Sequence, residues 1–138
     1  ALGLSQLKKL NSFVSRRRDI VNRYNEAFAQ VDHLQTPFES DNCNSNFHLY
    51  VLLFDFKKIG IERNQLMTDL LSKGVQTQVH YIPVHTQPYY RKHYKTNWGD
   101  FPKAENYYQR CLSLPLFPAI DDEEVSKVIN SVKTGIQR

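Results

Sequence analysis

The chain has 138 residues, 41% of them hydrophobic and 23% charged, which suits one globular domain able to bury a core without metals or disulfides. Its apolar runs fall well short of the roughly 20 residues of a membrane span, and no signal-peptide pattern is present, so a cytoplasmic setting with no membrane partner is expected. The net charge of +4 invites a nucleic-acid partner, but its dense run, Arg16, Arg17 and Arg18, lies beside Asp19 and Glu26 and reads as a solvated helix face without a nucleic-acid motif.

Leu7, Leu10, Val14, Val21, Tyr24 and Phe28 recur at helical spacing, so residues 2–28 are predicted to form one long amphipathic helix. The chain opens on Ala1 rather than Met and enters this helix at once; the expectation is a fragment whose upstream part is absent. A weak strand around 33–35 and a polar loop, PFESDNCNSN, follow. FHLYVLLFDF at 47–56 is β-rich and nearly all apolar, as in a central strand buried on both faces. Residues 57–60 read as a turn. A second helix over 63–73 turns Leu66, Met67, Leu70 and Leu71 inward, and Gly74 supplies a left-handed C-terminal cap.

Residues 75–80 alternate Val75, Thr77 and Val79 against Gln76, Gln78 and His80, a strand pattern with one polar face. That face leads into IPVHTQPYY, where Pro83 and Pro88 remove backbone donors and predict an extended loop. Beyond a Gly99-Asp100 turn come a short helix over 103–111 and a short strand over 112–116. Asp121 and Glu124 then form an acidic capping box for the last helix, with Ile120 and Val125 as its hydrophobic staple. Val125, Val128, Ile129 and Val132 make its buried stripe. Short strands mixed with helices on a small, mostly antiparallel sheet give an α/β or α+β two-layer fold.

Chemistry concentrates in residues 76–90. His80, Tyr81, His85, Gln87, Tyr89 and Tyr90 can stack and hydrogen-bond, which suits a polar, ring-bearing ligand. His48, expected in a strand beside Tyr50, is a structural histidine by default. His80, His85 and His93 lack the spacing of zinc ligands, so no metal is expected. Cys43 and Cys111 show no CxxC spacing and read as idle thiols. Ser5 and Lys8 match an SxxK spacing, but on a helix face with Lys8 and Lys9 toward solvent. The tyrosines either pack their loop onto the domain or line a pocket; spacing leaves both open.

LGLSQLKKL at 2–10, HLYVLLF at 48–54, KGVQTQVHYIPVHTQPYY at 73–90, GDFPKAENYYQRCLSLPLFP at 99–118 and DDEEVSKVI at 121–129 together resemble the DegT/StrS-type nucleotide-sugar aminotransferases. The likeness runs toward the branch that makes 4-amino-4,6-dideoxy sugars for pseudaminic acid. It implies a small C-terminal domain of a fold-type-I enzyme, with a short antiparallel sheet, flanking helices and a long N-terminal helix. In such an enzyme an upstream domain carries pyridoxal phosphate and its imine-forming lysine, glutamate donates the amine and a nucleotide-linked keto sugar accepts it. No segment here resembles the lysine motif, so residues 1–138 are expected to be one domain, inactive alone, with no cofactor bound. The resemblance also implies that His80, Tyr81, His85 and Gln87 face the sugar nucleotide, with Tyr89, Tyr90 and His48 behind them. A homodimer is implied for the whole enzyme, and self-association through the N-terminal helix is expected for the fragment. The competing reading is a standalone, non-catalytic module that binds sugar nucleotides or a protein partner.

Overall fold

The computed structural model describes residues 2–137; Ala1, on which the fragment expectation turns, lies outside the described residues. Two helices, α1 (Leu2–Leu7) and α2 (Leu10–Phe28), replace the single long helix expected. The chain turns at Lys8 and Lys9, where the Lys9 N–H reaches Gln6 O at 2.9 Å. The apolar spacing runs straight across this break, so periodicity alone does not reveal it. Core packing begins only in the second half of α2, where Ile20, Val21, Tyr24 and Phe28 are buried. Leu2, Leu4, Leu7 and Leu10 remain exposed.

Strands β1 (Leu34–Gln35), β2 (Tyr50–Phe54) and β3 (Cys111–Leu114) form an antiparallel sheet in the order β1-β2-β3. The expected central strand is therefore β2, with Tyr50, Leu52 and Phe54 fully buried on one face and Val51 and Leu53 half-buried on the other. Tyr24 stacks obliquely on Tyr50 at 4.9 Å. Each phenol has a partner, since Tyr24 donates to Pro115 O and Tyr50 to Asn25 Oδ1, both at 2.9 Å. Burial pushes both hydroxyl pKa values well above the usual tyrosine range.

The predicted turn after β2 is a single helical turn, α3 (Phe56–Ile59), started by Asp55 and closed by left-handed Gly60. Helix α4 (Arg63–Ser72) buries Leu66 and Leu70. Leu71, expected to face inward, is exposed, because the buried stripe advances by four residues and leaves it off the face. Gly74 takes the left-handed conformation (φ 76°) assigned to it.

Residues 75–80 are extended but form no strand; one bridge joins Gln78 to Ser113. The predicted sidedness survives, with Val75 and Thr77 buried and Gln76 and Gln78 exposed. The neighbouring β3 is four residues long, which leaves little edge for a ladder. The extended loop expected next is also corrected. A 3-10 turn (Val84–Thr86) follows Pro83, and α5 (Pro88–Tyr94) begins on Pro88, where the missing N–H costs a helix nothing. Pro102 likewise begins α6 (Pro102–Arg110).

Helix α7 (Asp122–Ile136) carries both arms of the capping box: Glu124 N–H donates to Asp121 Oδ1 at 2.7 Å, and Asp121 N–H to Glu124 Oε2 at 3.1 Å. Val125, Val128 and Val132 are buried between α2 and α4. At Gly135 a Cβ would stand 2.7 Å from Leu66 Cδ1, so glycine permits the close approach of α7 to α4. The arginine run is not a solvated face. Arg16 donates to Ile120 O and to Asp122, and Arg18 to Glu39 and Ser45 O, fastening α2 to the start of α7 and to the 39–45 loop. The result is the expected small α+β fold, an antiparallel sheet flanked by helices.

Candidate functional site

The extended segment 75–80 lies against β3 and delivers His80 to the far end of Ser113. His80 Nδ1 and Ser113 Oγ are 2.8 Å apart, which fixes the ring half-buried. The Tyr81 ring meets it edge-on at 4.5 Å, and the peptide bond between the two is cis. Tyr81 itself is 72% exposed.

His85 turns the other way. It is buried, donates from Nε2 to Glu105 Oε1 at 2.7 Å, and packs 4.7 Å from the Phe101 ring. Gln87 and the next turn return to the surface: Tyr89 and Tyr90 are exposed. Pro88 sets them on one short helix, where Tyr89 lies 4.5 Å from His93 and Tyr90 stacks on Tyr94 at 5.9 Å. His48 is exposed at a bend before β2, not within a strand. The predicted set thus divides into the pair His80–Tyr81, the ring cluster on α5, the inward His85 and the separate His48.

Sequence reading missed Glu105, Ser113 and Thr96. Glu105 sits in the first turn of a short helix and looks there like a solvated acid; instead it is buried. Burial alone would raise its carboxyl pKa, but hydrogen bonds from Gly99 N–H, His85 and Phe101 N–H outweigh that and hold it below the ordinary range. A buried carboxylate with several donors behaves this way. Burial pushes the Cys111 thiol up, which removes it as a nucleophile; Cys43 is exposed and unpaired with it.

The arrangement can stack rings and exchange hydrogen bonds. Among the described residues, no group of three His, Cys, Asp or Glu could hold a metal ion, and no lysine is buried. An imine-forming lysine acts desolvated or beside a second cation, and the lysines described here all reach solvent. A cavity of about 850 Å³ lies between residues 55–65 and 106–110. A second, of about 650 Å³, lies between α2 and residues 117–119. Neither is lined by His48, His80, Tyr81, His85, Gln87, Tyr89 or Tyr90. No helix among the described residues is long and apolar enough to cross a membrane.

Residues 1–133 match the DegT/DnrJ/EryC1/StrS aminotransferase family. The chain is 47% identical over 134 residues to the spore coat polysaccharide biosynthesis protein SpsC of Bacillus subtilis (strain 168), covering 96% of this chain and 34% of that protein. Its structure is similar to the apo-form of the putative sugar aminotransferase Spr1654 from Streptococcus pneumoniae, with 31% identity and a TM-score of 0.89 over 99% of this chain and 34% of that one. It is similar as well to Helicobacter pylori PseC, an aminotransferase involved in the biosynthesis of pseudoaminic acid, with 28% identity and a TM-score of 0.87 over 99% of this chain and 36% of that one. The chain therefore spans about a third of the length of the relatives it matches.

Proposed function

This chain belongs to the DegT/DnrJ/EryC1/StrS aminotransferase family, and on that premise we propose that it is the small C-terminal domain of a pyridoxal phosphate-dependent sugar aminotransferase. The complete enzyme moves an amine from glutamate to a nucleotide-linked keto sugar, so that the sugar carbonyl becomes a carbon bearing an amine and glutamate becomes 2-oxoglutarate. The likeness to PseC favours the branch that forms 4-amino-4,6-dideoxy sugars for pseudaminic acid. Pyridoxal phosphate supplies the electron sink for that exchange; its lysine and phosphate contacts belong to the rest of the polypeptide, and the enzyme works as a homodimer.

This chain's own share is recognition. Tyr81, Gln87, Tyr89 and Tyr90 offer exposed rings and an amide to the sugar nucleotide, with His80 held beside them by Ser113. His85 serves from behind, and His48, exposed at the bend before β2, is a secondary contact. The observation that carries the reading is the near-complete likeness of this chain's fold to the matching third of sugar aminotransferases.

The test is amine transfer by the complete enzyme, rather than by this chain alone, supplied with pyridoxal phosphate, glutamate and a UDP-linked 4-keto-6-deoxy sugar. Mass spectrometry should find the aminated sugar together with 2-oxoglutarate. The competing reading is a module that binds the nucleotide sugar without chemistry. Binding with no 2-oxoglutarate from any keto sugar would select that module and overturn the first.

A further inference from the structure

Glu105 lies in the first turn of α6, and its carboxylate points back into the chain before it. Its Oε1 accepts from His85 Nε2 at 2.7 Å, from Gly99 N–H at 2.8 Å and from Phe101 N–H at 3.2 Å. A carboxylate can only accept, so His85 carries its hydrogen on Nε2. The three donors come from the two ends of one excursion: His85 precedes it, and Gly99 and Phe101 follow. Thr96 Oγ1 closes the same base by donating to His85 O at 2.7 Å. Between these ends lies α5 with Tyr89 and Tyr90. No residue from 86 to 98 is among the buried hydrophobic core or the partly buried hydrophobic residues packed on it. Hydrogen bonds at the base, rather than apolar burial, therefore fix the excursion.

We infer that Glu105 is a positioning residue: acting through His85, Gly99 and Phe101, it sets where Tyr89 and Tyr90 stand, without itself touching the ligand. The consequence for ligand affinity rests on the reading of this excursion as a nucleotide-sugar wall, whereas the positioning can be read without any ligand. Trp98, the single tryptophan of the sequence, stands inside the excursion with its ring 6.3 Å from Tyr108, so acrylamide quenching of its fluorescence reports the excursion directly.

The experiment compares Glu105→Ala, Glu105→Gln and Thr96→Val with the unaltered protein, using UDP-N-acetylglucosamine as the probe. Glu105→Ala should raise Trp98 quenching about twofold or more and weaken probe binding about tenfold, with the far-ultraviolet circular dichroism unchanged. Glu105→Gln keeps an acceptor oxygen for Gly99 and Phe101 and should recover most of both losses. Wild-type quenching in Glu105→Ala overturns the inference. So does a general loss of fold in which Glu105→Gln is no better than Glu105→Ala. If Glu105→Ala does not fold, Glu105→Gln and Thr96→Val decide: increased quenching with the far-ultraviolet circular dichroism unchanged in either supports the inference, and wild-type quenching in both, or loss of fold in both, sinks it. An unaltered protein that binds no nucleotide sugar defeats the functional reading alone, because the quenching comparison still stands or falls on its own.

Discussion

The core around Tyr24 and Tyr50 and the excursion around Tyr89 and Tyr90 use the same side chain in opposite ways. Tyr24 and Tyr50 are fully buried with both hydroxyls paired. Tyr89 and Tyr90 are 60% and 39% exposed, and they pack against each other, His93 and Tyr94 inside their own short helix. A tyrosine ring buried this way removes a large apolar area from water, so the core is held by many contacts at once. The excursion depends on a few hydrogen bonds converging on one carboxylate. Segments with few buried apolar contacts open at lower free energy than the core, so the two regions should respond differently to the same kind of substitution.

The largest effect is expected in the core. Phe54 is fully buried on β2 and stacks 5.1 Å from Phe56. Truncating it to alanine should cost about 3–5 kcal/mol of unfolding free energy, measured by urea denaturation. A loss under about 1 kcal/mol would mean that the core collapses around the gap, and the contrast with the excursion would lose its basis. Asp121→Ala tests a smaller element on the same side of the comparison. It removes the acceptor for Glu124 N–H at the start of α7 and should cost about 1 kcal/mol. An unchanged denaturation midpoint would show that the arginines of α2, which meet Asp122 and Ile120 O, hold the start of α7 without the cap.

The two regions also differ in how far they were legible in the amino-acid order. The capping box at Asp121 and Glu124 and the glycine after α4 are local features whose physics is complete within a few residues and is legible there; the central strand is legible in place, though it spans Tyr50–Phe54 rather than 47–56 and is only half-buried on its second face. Sidedness was legible too, as Val75 and Thr77 show. Partnership was not. The break at Lys8 and Lys9 lies inside an uninterrupted apolar spacing. Residues 75–80 have strand alternation but only one bridge to β3. The sequence sets His85 among the ligand-facing rings, because a run of polar residues does not reveal which one turns inward. Its partner Glu105 lies 20 positions away, at a distance where spacing carries no signal, and Arg16 finds Asp122 across 106.

The smallest stability effect is expected at Tyr90. Its ring is stacked on Tyr94 but partly open to water, and surface substitutions away from caps, cores and networks usually change stability by within about 0.5 kcal/mol. Tyr90→Ala should therefore leave the urea midpoint nearly unchanged. Ring stacking on a nucleobase is worth roughly 1–3 kcal/mol, so the same variant should weaken nucleotide-sugar binding by about tenfold or more. The pairing of a flat stability response with a clear affinity loss is what separates a ligand-facing ring from a packing ring. Tyr24 should show the reverse, losing stability on truncation while standing too deep to contact any ligand. If Tyr90→Ala instead lowers stability by more than about 1 kcal/mol and leaves affinity intact, α5 is a packed element and the ring-bearing excursion is a continuation of the core.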